Sequence, residues 1–285
     1  FAALSAGQRF ESIGGDRLDT LGTLDSASAH YEGWWHRRLA GRDALLLPQF
    51  QAKSGDRYEA PIVSDRKAPA GRVPSDLLAA WVAYLGRVAD RDTVDIGYVD
   101  QVYLSRLEDV APWFADQMPL HVAIDWGQPP GVFADRLANE VGAMHKRIAI
   151  ARDLIARMPD LRGSDGFGFP VSVQLVDRLD QAVSAQGTVL HLAIAGDGSG
   201  CRLIHDPARI DHAALADLWV GFERMLAAAD AAPETPVGRL SLLDEAEYHQ
   251  VIRVWNAEAG ETSTASGVHH MIADQARRTP DKVAV

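Results

Sequence analysis

Ten histidines and a single cysteine carry most of the chemistry open to this chain, and their spacing decides what kind it can be. The densest group is His269-His270, followed by Asp274. A base with a carboxylate to orient it is the pairing that proton transfer needs. The run continues as QARRTPDKVAV, which reads as helix up to Pro280, and it follows a loose Ser/Thr-rich stretch at 261–267, so the pair reads as the opening of a helix. His205-Asp206 also sets a base beside an acid, yet neighbours on an extended chain point to opposite sides. His145 reads as a half-exposed helical residue. Cys201 lies between Gly200 and the apolar Leu203-Ile204 in an expected hairpin, which is no setting for a nucleophile. No His, Cys or carboxylate pair has the HExxH or CxxC spacing of a metal site. The glycine-rich GDGSG at 196–200 lacks the Lys-Ser/Thr of a phosphate loop, GSDG at 163–166 is a turn, and the GxSxG elbow is absent.

The elements that would position these groups alternate along the chain. Few periodic apolar residues occur in the first thirty positions, where Gly14-Gly15-Asp16 reads as a turn. Tyr31, Trp34, Trp35 and Leu39 then recur at helical spacing up to Gly41. A second helix starts at Pro74-Ser75-Asp76, with a side-chain oxygen available as cap and a stripe of Leu77, Leu78, Trp81, Val82, Leu85 and Val88. Val94 to Gly97 reads as a strand. A long helix is expected over 133–157, with Phe133, Leu137, Val141, Met144 and Ile148 on one face and Pro159 at its end. Residues 169–176 alternate as a strand, 189–195 and 201–204 form a hairpin across Gly196-Asp197-Gly198-Ser199, and Asp211 caps a helix with the stripe Leu215, Leu218, Trp219, Phe222, Met225 and Leu226. The prolines of AAPETP, at 231–236, end that helix. Helices alternating with strands indicate an α/β or α+β sandwich.

Composition narrows the classes further. With 285 residues and 47% hydrophobic content the chain can bury a sizeable core. The longest apolar run, at 77–86, is about half of the ~20 residues a membrane span needs, and the N-terminus has no export pattern, so a soluble, membrane-free protein is expected. One cysteine excludes an internal disulfide framework and suits a reducing cytoplasm. A net charge of −11 argues against nucleic-acid partners bound through phosphates.

The last fifty residues carry two linked patterns. Leu240, Leu242, Leu243, Asp244, Glu247, Val254, Trp255 and Asn256 resemble the exit segment of a non-ribosomal peptide synthetase condensation domain. Val268, His269, Ala276, Arg277, Thr279, Pro280, Asp281, Val283 and Ala284 resemble the opening of the adenylation domain that follows. The Tyr31–Gly41 helix, the strand ending Ile96-Gly97 and the block PWFADQMPLHVAID at 112–125 are similar to further condensation-domain segments. In that block Phe114, Pro119, Leu120 and Val122 match, while Asp116, Gln117 and His121 replace the usual Asn, Thr and Arg.

This resemblance implies a chloramphenicol acetyltransferase-like lobe, a mixed sheet with flanking helices, followed by an extended linker. The C-terminal lobe would occupy 1–232, the linker 233–266 and the adenylation start 267–285, the whole being a fragment of a larger synthetase. It implies amide formation between two carrier-bound thioesters, with phosphopantetheine on the partner carrier domains and no cofactor or metal held by this segment. The partners would be an upstream condensation lobe, peptidyl carrier domains and the downstream adenylation domain. Asp116 and Gln117 would line the substrate tunnel. The family's catalytic HHxxxDG belongs upstream of the Tyr31 helix and is not in the chain; His269 to Gln275 imitates it as HHxxxDQ. Without that motif the segment alone is expected to be inactive. The departures at Asp116, Gln117 and His121 leave open a condensation-like module that recruits a partner enzyme instead, and the Asp for Asn change at Asp116 leaves open an epimerising or cyclising variant, although an adenylation start directly downstream speaks against epimerisation. From its apolar set, the stretch 233–260 is expected to pack on the lobe.

Overall fold

Alternation along the strands decides how the sheet is used. The computed structural model describes residues 15–52, 60–68, 71–107, 110–147, 149–161, 166–257 and 267–280. Its strands are β1 (Ile62–Lys67), β2 (Thr93–Asp100), β3 (Met118–Ala123), β4 (Val171–Val176), β5 (Leu190–Ala195) and β6 (Gly200–His205). They form one sheet in the order β1-β6-β5-β4-β2-β3, with β2, β4 and β5 parallel to one another and the other neighbours antiparallel. The helices are α1 (Gly15–Leu39), α2 (Pro74–Ala89), α3 (Gln101–Leu107), α4 (Pro130–His145), α5 (Leu154–Arg157), α6 (His212–Ala231), α7 (Glu245–His249), α8 (Trp255–Ala257) and α9 (Val268–Arg278).

Alternate residues of β2 to β6 point into one core. Val94, Ile96 and Tyr98 of β2, Leu120 and Val122 of β3, Val173 of β4, Leu192 and Ile194 of β5 and Leu203 of β6 share it with the apolar stripes of α2, α4 and α6. The six-residue stripe read for α6 is buried throughout. Trp81 of α2 meets Phe222 of α6 edge-to-face at 5.2 Å, and Trp219 meets Phe222 at 5.1 Å. Burying each such ring contributes roughly 1.5–3 kcal/mol, which makes the α2–α6 seam a principal anchor of the helical layer. Parallel β4 and β5 need a connection that crosses a face of the sheet. Because helices fill one face, the 177–189 loop crosses the other. There Val183 N donates to Gln174 Oε1 at 3.0 Å, and the Ser172 hydroxyl lies 3.4 Å from that of Thr188.

Both members of the expected hairpin appear, with Gly198 at φ 70° in its turn. Asp211 caps α6 by accepting from Ala214 N at 2.8 Å, as expected. Other expectations change. The helix read from Tyr31 begins at Gly15: its buried contacts are only Leu24, Ser28, Trp35 and Leu39, too sparse to announce themselves. α2 takes no side-chain cap, and Pro74 occupies the first turn, where a missing N–H costs nothing. The helix expected to reach Arg157 stops at His145. Beyond it Ala115 N donates to Ile150 O and Arg152 N to Trp113 O, so 150–152 pair with 113–115 as extended chain, and only α5 returns to helix. Strand β1 carries no alternating apolar pattern: Ile62 and Val63 are exposed, and the four residues that follow are polar. Ile148, Gly14 and the segments at 163–165, 261–266 and 281–285 lie outside the described residues.

The chain divides into two compact units, Phe1–Leu242 and Leu243–Val285. Packing of the exit segment follows that division. In the first unit Val237 and Leu240 are buried and Leu242 packs against the core, as expected for 233–260, while in the second unit Leu243 is 43% and Trp255 65% exposed, which is not the burial expected of them. In the second unit Asp244 caps α7 through a reciprocal bond pair with Glu247, and α9 begins at the histidine pair as read.

Leu240→Ala should therefore lower the stability of the first unit by about 2–5 kcal/mol, and Trp255→Ala should change it by less than ~0.5 kcal/mol. Urea unfolding followed by far-UV circular dichroism measures both; equal losses would contradict this division of the exit segment.

Candidate functional site

The second face of the sheet carries polar residues and is nevertheless buried. Asp95, Ser172, Gln174 and His191 are each at most 3% exposed, as is Gln117, which lies over this face. Each has a partner. Asp95 accepts from Asp43 N at 3.1 Å and pairs with His121 Nδ1 at 2.7 Å. The hydrogen bond to Asp95 raises the His121 pKa above its ordinary value, against the opposing effect of burial. Gln174 Nε2 donates to Gln101 Oε1 at 3.1 Å. The Ser172 hydroxyl shares a hydrogen bond of 2.7 Å with His191 Nδ1 on the adjoining strand. Ser172 beside His191 resembles a nucleophile with its base, but both are sealed from solvent and burial holds the imidazole down at about 4, so the pair cannot meet a substrate.

Asp116 and Gln117, the residues expected to line a tunnel, stand just before β3 and behave differently. Asp116 is part-exposed and lies 3.4 Å from Arg152, a surface pair worth about 0–1 kcal/mol. Gln117 is buried over Gly97: its Nε2 donates to Phe167 O at 2.9 Å, while Oε1 has no protein partner among the described residues. A Cβ on Gly97 would collide with that Oε1, which explains glycine in the Ile96-Gly97 strand. The expected site residues thus form one cluster at the β2–β3 end of the sheet, with Asp116 facing outward and Gln117 supporting from beneath.

A second polar group was not foreseen. His145, at the end of α4, places Nε2 2.9 Å from Asp100 Oδ2 and 3.1 Å from the Tyr98 hydroxyl, and its side chain is 40% exposed. Burial pushes the Asp100 carboxyl up, but hydrogen bonds from His145 and from the Tyr103 and Val102 amides outweigh it and hold Asp100 below the usual carboxylate range. An anchored carboxylate behind a half-exposed imidazole is the arrangement of a base with its orienting group. His145 is half-exposed as read. Its partner lies 45 residues back, beyond the reach of any local pattern.

The remaining candidates carry no chemistry. Cys201 is buried and its thiol is pushed up to about 12 by burial. His205 is buried, and Asp206 spends its carboxylate on Ala208 N at 3.0 Å, so no dyad forms. His269 and His270 meet at a tilt of 44° with ring centroids 4.1 Å apart in the first turn of α9, among exposed residues. No group of three or more possible metal ligands occurs among the described residues, and no described helix is long and apolar enough to cross a membrane.

No family model matches the chain. Short stretches match curated synthetases: 35% identity over 75 residues with Chondramide synthase cmdD of Chondromyces crocatus and 28% over 94 residues with a linear gramicidin synthase of Brevibacillus parabrevis. These cover 26% and 33% of this chain but only 2% of either synthetase. Among solved structures, the first condensation domain of the CDA synthetase superposes with a TM-score of 0.57 over 85% of this chain, at 17% identity. The fold is that of a condensation domain. The starter condensation domain of rhizomide synthetase RzmA gives 0.55 over 85% at 16% identity, and the X-domain solved in complex with OxyB from teicoplanin biosynthesis gives 0.55 over 80% at 19%. The chain spans about three fifths of these condensation-fold structures, 58% to 62% of each.

Two outcomes follow for the polar groups of this condensation fold. His191, neutral in the fold and free to protonate near 6.5 when unfolded, contributes stability in full above pH 6.5; this is lost as pH falls from 6.5 to about 4. The loss amounts to about 3 kcal/mol, and His191→Asn should flatten that part of the curve of urea midpoint against pH. Asp100→Asn should cost about 1–3 kcal/mol and His145→Ala distinctly less, since His145 is half exposed; equal costs in urea titrations would show that Asp100 does not anchor the start of α3.

Proposed function

We propose that this chain supplies the C-terminal lobe of a condensation domain in a non-ribosomal peptide synthetase, where it takes part in amide formation between a carrier-bound thioester donor and a carrier-bound amino acid. The observation that carries the proposal is the coincidence of two independent signals: a condensation fold over 85% of the chain, and an exit segment followed by an adenylation-like opening at 240–284. In this reading residues 1–232 form the lobe, 233–266 the linker and 267–285 the adenylation start.

The chemistry asks little of this lobe directly. A thioester is already activated, and holding it against an amine supplies much of the rate by proximity, an effect of about 7–11 kcal/mol in well-oriented systems. Asp116, part-exposed beside Arg152, would face the tunnel between the lobes, and Gln117 would hold that wall from behind against Gly97. The catalytic HHxxxDG histidine would come from the preceding lobe. Phosphopantetheine would belong to the carrier domains that bring the substrates.

A second reading has a specific observation behind it. The X-domain solved with OxyB shares the fold to the same degree as the condensation domains do, and the Asp, Gln and His at 116, 117 and 121 replace the residues usual in condensation domains. Under this reading the chain is part of a transfer-inactive module that recruits a partner enzyme.

Reconstitution separates the two. With the upstream lobe joined and both carriers preloaded, amide product detected by mass spectrometry supports condensation, and its absence together with retained capture of a tailoring enzyme supports recruitment. The 285-residue chain alone should yield no amide. In the joined protein, His270→Ala should leave condensation with preloaded carriers unchanged; a fall of the roughly 10² to 10⁴ that a general base contributes would overturn the assignment of 267–285 to an adenylation start.

A further inference from the structure

The chain is acidic, with a net charge of −11, yet one cavity reverses the sign. Trp34, Arg37, Arg38 and Gly41, at and just beyond the end of α1, line an open pocket of about 290 Å³ together with His121 of β3. Two of its three basic groups are held in place. Arg38 lies over the Trp34 indole, 3.7 Å from the ring centroid, and pairs with Glu140, while its Nε is buried without a partner among the described residues. His121 is fixed through Nδ1 on Asp95 at 2.7 Å and is 43% exposed, which leaves Nε2 as its available nitrogen. Arg37 is exposed and makes no ion pair among the described residues. Basic residues commonly offset the negative end of a helix, but that end carries only about half a charge. Glu140 compensates Arg38, so the charge of Arg37 is left over.

We propose that this cavity binds a phosphate group borne on a small organic ligand, with the Arg37 guanidinium and the His121 Nε2–H as donors and Trp34 as an apolar wall for the substituent. A planar carboxylate is satisfied by one guanidinium fork. Donors approaching from a helix end and from a strand suit a tetrahedral oxyanion, which presents oxygens in more than one direction. The volume exceeds what a bare ion fills, since a water occupies only about 30 Å³ of liquid. The inference is independent of the synthetase reading, because it uses only the charge and geometry of the cavity.

The imidazole must be protonated to donate from Nε2 while Nδ1 stays on Asp95. The groups acting on it are Asp95 of β2, which raises its pKa, Arg38 of α1, which opposes this, and Glu140 of α4, which supports it. Affinity should therefore fall as pH rises through that elevated value.

Isothermal titration of the 285-residue chain at low salt tests the site with inorganic phosphate, phenyl phosphate, dimethyl phosphate and benzoate as probes. Phenyl phosphate should bind more tightly than inorganic phosphate, and benzoate at least tenfold more weakly than phenyl phosphate. Dimethyl phosphate matching phenyl phosphate would show that the site accepts diesters as well as monoesters, and weaker binding would assign it to monoesters; both support the proposal. Arg37→Gln, an exposed change that should leave the circular dichroism spectrum unaltered, should weaken phenyl phosphate binding by roughly tenfold to hundredfold, as loss of a charge-assisted bond does. His121→Gln should abolish the fall in affinity at rising pH, leaving only the effect of the phosphate's own second ionisation at about 6. No binding of phenyl phosphate at millimolar concentration, benzoate binding as tightly, or unchanged affinity in Arg37→Gln would each overturn the proposal.

Discussion

Strand β2 is buried from Val94 to Asp100 and has a neighbour on either edge, so every group it carries must be matched on the spot. An unpaired polar group in such a place costs about 1–3 kcal/mol, and β2 brings two carboxylates. Asp95 is answered by His121 and the Asp43 amide, and Asp100 by His145 and the Tyr103 amide. Through these answers the strand fixes the middle of β3, the end of α4 and the start of α3. Gly97 between them gives up its side chain so that Gln117 can lie across the sheet. The polar groups of the candidate site are therefore consequences of how one central strand is satisfied.

The two faces of the sheet differ in what they can tolerate. Against α2, α4 and α6 the contacts are apolar and rely on volume, as with Trp81, Trp219 and Phe222. On the other face the cover is the 177–189 loop and the backbone around Phe167, which supply amides and carbonyls in place of methyl groups. Such a face depends on individual hydrogen bonds, whose geometry is less forgiving than hydrophobic contact.

Much of this was legible in the chain because amphipathic stripes and turn residues act locally. The α6 stripe with its Asp211 cap, the 189–204 hairpin and the start of α9 at the histidine pair all follow from residues within a few positions of one another. The failures share the opposite property. α1 extends back to Gly15 past Leu24 and Ser28, whose partners lie far along the chain: Leu24 packs with Tyr103 and Phe114, and the Ser28 hydroxyl accepts from Ala151 N. α4 ends early because 150–152 find backbone partners at 113–115. Asp100 and His145 looked ordinary singly, and the Arg37–His121 cavity unites residues more than eighty positions apart. Chemistry assembled by tertiary contact leaves no periodic trace, whereas Asp116 and Gln117 could be singled out only because a family pattern surrounds them.

The lone thiol has a practical consequence. Cys201 begins the inner row of β6, fully covered by the core, and its acidity is suppressed to about 12. Alkylating reagents attack the thiolate of an accessible cysteine, so native molecules should be almost inert to them, and labelling becomes a clock for excursions that lift the β5–β6 hairpin away from the helices. The wild-type chain thus carries its own reporter of local opening, silent until the sheet parts, readable by mass spectrometry without introducing a foreign side chain.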